Sequence, residues 1–418
     1  MREYGRNFAL VHRLSGIALA LFLPLHFWVL GQAWGNEVQS GEAKLESFLR
    51  WSEQPLVKAG EWAIVLLLAV HLSGGVRILM IEFLPWRNWQ KTLAAATGAA
   101  ALAMGLAFAL ALTSSAAHAQ SWPQKSVKFI VPFPPGGATD ISARLLAQKL
   151  TEFWGQTVVI ENRGGAGGGV GAAEAARASP DGYTLFFPSG SVVTANQHIY
   201  ANLNYDPEKD FVPVTKVVSG PQVLVVPASS PYKSVKDLID AAKAQPGKLT
   251  FGHAGIGSQV HLAGENFVSA AKIDAVAVPY KGEGPALNDL VAGQIQFMVT
   301  NVAAAIGFIG QGRLRALGVT SKTAFPQLPG VAPIAKTLPG FENTGWFGIV
   351  APAGTPKEII QKVYQDTKKA LESSEMRARF YVQGLAPVGD TPEEMGRAMK
   401  EETQLWARVV RERKIQVK

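Results

Sequence analysis

The sequence predicts an α-helical membrane segment of three spans followed by a two-lobed α/β clamshell. Two observations predict it. Three apolar runs of bilayer length lie within residues 1–119, and the rest of the chain repeats one unit, a short strand, a Gly/Ser/Thr-rich turn and a helix. A chain of 418 residues also exceeds one ordinary domain. It contains no cysteine, which excludes disulfides, thiolate-held iron–sulfur clusters and any cysteine nucleophile or zinc ligand. The net charge of +8 is spread along the chain without a basic run of nucleic-acid type, so the expected partner is a small anion or a membrane surface.

The first run, Phe8 to Trp34, is apolar apart from His12, Arg13 and His26. The second, Trp62 to Phe83, is interrupted by His71, Arg77 and Glu82. Arg2, Arg6 and Arg13 precede the first span, Arg87 and Lys91 follow the second, and Glu37, Glu42, Glu46 and Glu53 crowd the loop between them. The positive-inside rule then makes the amino terminus cytoplasmic. Ionisable groups in a span are costly and point to function. His12 and Arg13 lie near the entry and have snorkelling to the headgroups as an alternative. At a rise of ~1.5 Å per residue His26 lies about 21 Å above His12, and His71 about 18 Å above Phe83 on the antiparallel return. Two imidazoles at matched depth suit the axial positions of a haem, with two unligated histidines as the alternative. Gly75, on the face of His71, leaves room for a flat macrocycle, and His12 and Arg13 fall at the cytoplasmic edge near propionates or a quinone headgroup.

The third run, Gln90 to Ser121, has two readings. It carries no charge between Thr92 and Ala117, as a span requires. It also has a signal-peptide layout, with Lys91, an apolar heart from Leu102 to Leu112, and the exit Ala117-His118-Ala119. Both readings deliver residues 120–418 to the periplasm, either tethered to the inner membrane or released by cleavage after Ala119.

HRLSG at His12–Gly16 together with HLSGGVRILMIEF at His71–Phe83 resembles the cytochrome b membrane subunit of succinate dehydrogenase and fumarate reductase, over about residues 1–90. The resemblance implies haem b with His71 as a ligand, His12 and Arg13 in the haem-propionate and quinone region, and flavoprotein and iron–sulfur partners. His26 as the second ligand is an inference from depth. Ala9 stands where that family often has serine.

In the remainder, Val127–Val131 reads as a strand, followed by a turn with Pro134, Gly136, Gly137 and Ala138, then a helix capped by Thr139 or Asp140. The free amides and positive dipole end of such a helix make an anion site. The loop Gly164–Gly171 does not keep the dinucleotide spacing, because Gly167, Gly169 and Gly171 alternate, so it reads as a close-packed turn into a helix. The next strand delivers Ser189, Ser191 and Thr194 to a loop at a carboxyl strand end, where ligands of open α/β sheets bind. Lys216–Pro227 reads as a crossover between lobes, Ser234 caps a helix, and Gly255, Gly257 and Ser258 form another turn into a helix. His261, one turn inside, is either a ligand contact or packing. Tyr280, Lys281 and Gly282 end one strand, Asn301 ends another, and WFGIVAPAGTP returns the chain to the first lobe. Two amphipathic helices, Pro356–Glu372 and Pro392–Arg411, finish it. The boundaries expected are 1–119 for the anchor, 120–222 plus 346–418 for one lobe and 223–345 for the other.

No GxSxG elbow, HExxH pair or close carboxylate pair accompanies these loops, so the reading is binding without chemistry. The segments IVPFPPGGATDISARLLAQKL, VVIENRGGAGGGVGAAEAARASPDGYTL, VPYKGEGPALNDLVAGQIQ and WFGIVAPAGTP resemble the periplasmic substrate receptor of the tripartite tricarboxylate transporters, of the Bug type. That resemblance spans about residues 120–418. It implies a periplasmic-binding-protein clamshell that closes on a small di- or tricarboxylate, needs no cofactor, and hands the solute to membrane subunits of a transporter. The ligand loops it implies are Pro134–Asp140, Ser189–Ser191, Gly255–Ser258 and Tyr280–Gly282. Ala138, His253 and Asn301 depart from its usual residues.

Overall fold

The chain divides into two compact units, Met1–Ser121 and Trp122–Lys418. The computed structural model describes residues 122–413 and 415, and before them only positions 10, 13–14, 16–20, 64–65, 67–69, 71–72, 74–76, 92, 95–96, 99 and 102–103. The expectations for His12, His26 and the Ala117–Ala119 exit fall outside these residues.

In the first unit every described position is helical. Leu10, Leu14 and Ile17 are exposed at the spacing of one helix face, and so are Leu68, Leu72 and Val76. Leu19 and Ala69 are buried. Among the described residues no helix is long and apolar enough to cross a membrane.

The second unit is α/β throughout. In chain order it runs β1 (Val127–Val131), α1 (Ala138–Trp154), β2 (Val158–Asn162), α2 (Gly169–Ala176), β3 (Thr184–Phe186), α3 (Gly190–Thr194), α4 (Asn196–Ile199) and β4 (Phe211–Pro227). It continues with α5 (Val235–Ala244), β5 (Thr250–His253), α6 (Gln259–Ala271), β6 (Val276–Pro279), α7 (Glu283–Val291), β7 (Met298–Asn301), α8 (Val302–Gly310) and β8 (Leu314–Val319). After β9 (Thr344–Pro352) come α9 (Lys357–Glu372), α10 (Ser374–Val382), β10 (Ala386–Pro387) and α11 (Pro392–Arg413). The first lobe is built on the strand order β10-β4-β9-β3-β1-β2. Strands β1, β2 and β3 pair in parallel, as βαβ crossovers require, while β9 returns antiparallel to β3 and β4.

Strand β4 belongs to both lobes. Up to Pro221 it pairs with β9, and from Gln222 onward it pairs with β7 and β8. Its Val/Leu-rich second half is buried, as expected for a strand covered on both faces. Leu224 and Val226 point into one core with Leu238, Phe251, Phe267 and Phe297, whereas Val223 and Val225 join a larger cluster that runs from the first lobe into the second through Leu287, Met298 and Val302. The alternation along one strand therefore serves two cores.

Local chemistry sets the helix starts. Ser234 and Asp237 form a reciprocal capping box on α5, and the Ser258 hydroxyl accepts from His261 N–H at the start of α6. At α1 the cap is Gly137, while Thr139 and Asp140 lie inside the first turn. Asp140 reaches back to accept from Gly136 N–H at 3.0 Å, which fixes the turn without capping it. Ser191 and Thr194, expected on a loop, lie in the short helix α3, whose cap position is Ser189. Helix α10 was not anticipated between the two closing helices; Met376 and Phe380, one turn apart, anchor it in the core.

Candidate functional site

The carboxyl ends of β1, β3, β5 and β7 bring their turns together between the lobes. They surround a cavity of ≈ 10 Å³, room for about one water, lined by Phe133, Gly137, Thr139, Ser189, Ser258 and Asn301 among others. Five of the positions expected from sequence thus meet at one place: Gly137, Thr139, Ser189, Ser258 and Asn301. All of these but Gly137 are polar side chains, and each of those four is no more than 5% exposed.

The group that fills this place is Glu283, the first residue of α7. Its Oε2 accepts from Ala138 N–H, the first amide of α1, at 2.9 Å. Its Oε1 accepts from the Thr300 hydroxyl at 2.8 Å, Asn301 N–H at 3.1 Å and Asn301 Nδ2 at 2.8 Å. Four donors from two lobes therefore converge on one buried carboxylate. Asn301 is held in turn, its Oδ1 accepting from Gln259 at 2.9 Å and Gln222 at 3.3 Å. Ser189 and Ser191 hydroxyls sit 3.3 Å apart beside this cluster.

The other expected residues have different surroundings. Asp140 is 3% exposed and accepts from Arg144 and Asn162, so its carboxylate is spent inside the first lobe. Pro134 is pressed between Gly164 and Gly282, and a side-chain carbon on Gly282 would come within 2.6 Å of its ring. Gly255, Tyr280 and Lys281 line a separate opening of ≈ 290 Å³ with Gly165, Gly167 and Tyr200. Tyr280 donates to Asp289 at 2.8 Å, and burial with that carboxylate raises its phenol to about 12.

Below the Gly255–Ser258 turn lie two buried histidines. Ring centroids of His253 and His261 are 4.2 Å apart. Gly255 N–H donates to Nδ1 of His253 and Gly257 N–H to Nδ1 of His261, both at 3.2 Å. Accepting these bonds requires an unprotonated Nδ1. Burial holds His253 down at about 4; burial and the neighbouring His253 hold His261 at about 3. His261 is thus a prop for the turn.

Sequence reasoning missed Glu283, Gln259, Ala254, Val260, Phe133 and Phe347 around the cavity. For Glu283 a signal exists: it is the single acid in YKGEGPAL, directly at a helix start that faces a second helix start.

In the first unit His71 is partly buried, and its ring lies against Gly16, where a side-chain carbon would come 2.7 Å from Cε1. Glycine at this position makes room for the imidazole, a donor of the type that haem iron takes. Arg13 is exposed.

Two α/β lobes joined by crossing strands, with helix starts converging on a buried anion, define a solute-binding clamshell. The family model of the tripartite tricarboxylate transporter family receptor matches residues 142–415, and the chain belongs to that family. Protein BugT of Bordetella pertussis is 37% identical over 313 residues, 74% of this chain and 95% of that protein. An R. palustris protein solved with adipate is 35% identical with a TM-score of 0.69, the match covering 71% of this chain and 99% of that one. MatC from Rhodopseudomonas palustris, solved with bound malate, is 32% identical with a TM-score of 0.66, over 69% of this chain and 100% of that one. A second family model, the succinate dehydrogenase/fumarate reductase transmembrane subunit, matches residues 4–112.

Proposed function

We propose that residues 120–418 form a periplasmic receptor for a small di- or tricarboxylate, closing over it and presenting it to the membrane subunits of a tripartite transporter. One observation carries this reading: the donors between the lobes already hold a carboxylate, that of Glu283, with two backbone amides, a hydroxyl and a side-chain amide. Neutral dipoles at helix starts stabilise such an anion without a countercharge. Relatives solved with adipate and malate support the same class of solute. The loops assigned to the ligand are Pro134–Asp140, Ser189–Ser191, Gly255–Ser258 and Tyr280–Gly282, with Asn301. The lobes assigned are 120–222 plus 346–418, and 223–345. Titration calorimetry of the full chain against a panel of dicarboxylates and tricarboxylates tests it. Heat from at least one member, at micromolar affinity or tighter, is expected; no heat from any member overturns it.

The amino-terminal part, residues 1–119, is proposed as an inner-membrane anchor with its amino terminus cytoplasmic. The 4–112 family match and the exposed apolar faces Leu10–Leu14–Ile17 and Leu68–Leu72–Val76 support it. His71 and His26 would hold haem b, with His12 and Arg13 toward its propionates or a quinone, and the group would supply one-electron transfer. An absorption spectrum of the purified full chain tests this: a low-spin haem signal lost in His71→Ala is expected, and a haem-free chain overturns it.

A further inference from the structure

We propose that Glu283 is a built-in competitor for the solute, a carboxylate of the chain's own that occupies the anion position and latches the lobes shut when no solute is bound. The inference rests on the carboxylate reading of the site and goes beyond it.

The geometry is specific. Glu283 stands on α7 of the second lobe, and its Oε2 takes the one bond that crosses to the first lobe, from Ala138 N–H at 2.9 Å. That amide is a free donor by construction, since the first amides of a helix have no partner within it. Its neighbour Gly137 has no side chain, and a carbon there would come 3.2 Å from Oε2, so glycine admits the carboxylate this close. The remaining cavity of ≈ 10 Å³ cannot hold a solute. A dicarboxylate therefore reaches the α1 amide only after Glu283 withdraws.

Withdrawal is an exchange of like for like. The donors of Ala138, Thr300 and Asn301 lose one carboxylate and gain another, so no buried donor is left unpaired in the bound state. In the solute-free receptor the same bonds hold the closed arrangement. The affinity for solute is then the difference between two carboxylates competing for one seat, and it sets the concentration at which the receptor responds.

The test uses the full chain. Its lack of cysteine allows spin labels at Ser179→Cys and Lys243→Cys, exposed positions on opposite lobes, without background labelling. Pulsed dipolar distances without solute should be short and narrow in the otherwise unchanged receptor, and longer and broader in Glu283→Ala. Calorimetry with adipate and with malate should show tighter binding in Glu283→Ala, on the order of tenfold, the equivalent of one charge-assisted hydrogen bond. Glu283→Gln, which keeps size and loses charge, gives the same direction and serves if the alanine variant folds poorly. An unchanged distance distribution in both variants overturns the latch. So does weaker binding by both variants, which would make Glu283 a contact for the solute. If the variants open but no carboxylate binds any of the proteins, the latch stands and the carboxylate reading falls. If carboxylates bind while neither variant opens, the reading stands and the latch falls.

Discussion

The Tyr200 phenol donates to the Ile256 carbonyl oxygen at 2.6 Å, joining α4's end in the first lobe to the Gly255–Ser258 turn of the second. The phenol is half-buried there, and burial pushes its pKa up to about 12. Because Ile256 O is satisfied by Tyr200 only when the lobes meet, Tyr200→Phe should favour the open form. A longer and broader interlobe distance in the solute-free receptor is expected by pulsed dipolar spectroscopy, with the unfolding midpoint nearly unchanged; an unaltered distance would show that this bond does not hold the lobes together.

Gly167 makes the adjoining contact. Its φ is +58°, and a side-chain carbon there would come 1.9 Å from Ile256 O. Gly167→Ala should fold, because the obstruction lies in the other lobe, and should bind solute at least about tenfold more weakly. Binding at the original strength would show that closure does not bring these two loops together.

The buried histidines set a pH dependence. Both have folded pKa values well below the ordinary 6.5, about 4 for His253 and about 3 for His261. Between 6.5 and those values the unfolded chain binds protons that the folded chain does not. Stability is therefore full above the unfolded pKa and falls as pH drops through it. The slope is about 1.4 kcal/mol per pH unit for each histidine. Urea denaturation of the full chain from about pH 7 down to about pH 4 should show this. His253→Asn should remove about half of the slope, and a slope unaltered by that change would reassign it to other groups.

Asn301 and Glu283 form the other testable pair. Asn301 Nδ2 donates to Glu283 Oε1 at 2.8 Å. Asn301→Asp would set carboxylate against carboxylate, and two such groups cannot both stay ionised at contact. One of them should hold its proton to higher pH, visible as an upward-shifted carboxyl titration by carbon-13 NMR, and the solute-free receptor should open as that proton leaves. Two carboxyls titrating normally would place the pair apart.

Much of the scaffold is legible from sequence because each strand ends in a turn rich in glycine or serine before a periodic helix. β1 at Val127–Val131, the crossover ending at Pro227, the Ser234 and Ser258 caps and the strand end at Asn301 all follow from such local rules. The α1 cap does not, since Thr139 and Asp140 look like caps, while Asp140 instead ties its carboxylate to Gly136, Arg144 and Asn162. Helix α10 escapes notice because only Met376 and Phe380 carry its burial, too few to make a stripe. Glu283 is marked in sequence only as the single acid at a helix start, and that mark does not reveal which donors it meets. Ala138 is 145 positions away, and only the folded arrangement of two helix starts joins them.

The strand shared by both lobes has a mechanical meaning. Pro221 closes its pairing with β9, and the next residue, Gln222, is paired with Asn301 and bonded to it by side chain at 3.3 Å. Consecutive residues of one strand thus end one ladder and begin another, and the second of them touches the residue that holds the Glu283 carboxylate. If the lobes turn about this strand, as the proposed closure requires, the change of ladder and the carboxylate-holding Asn301 would move as one, and the angle between the lobes would report what that place holds.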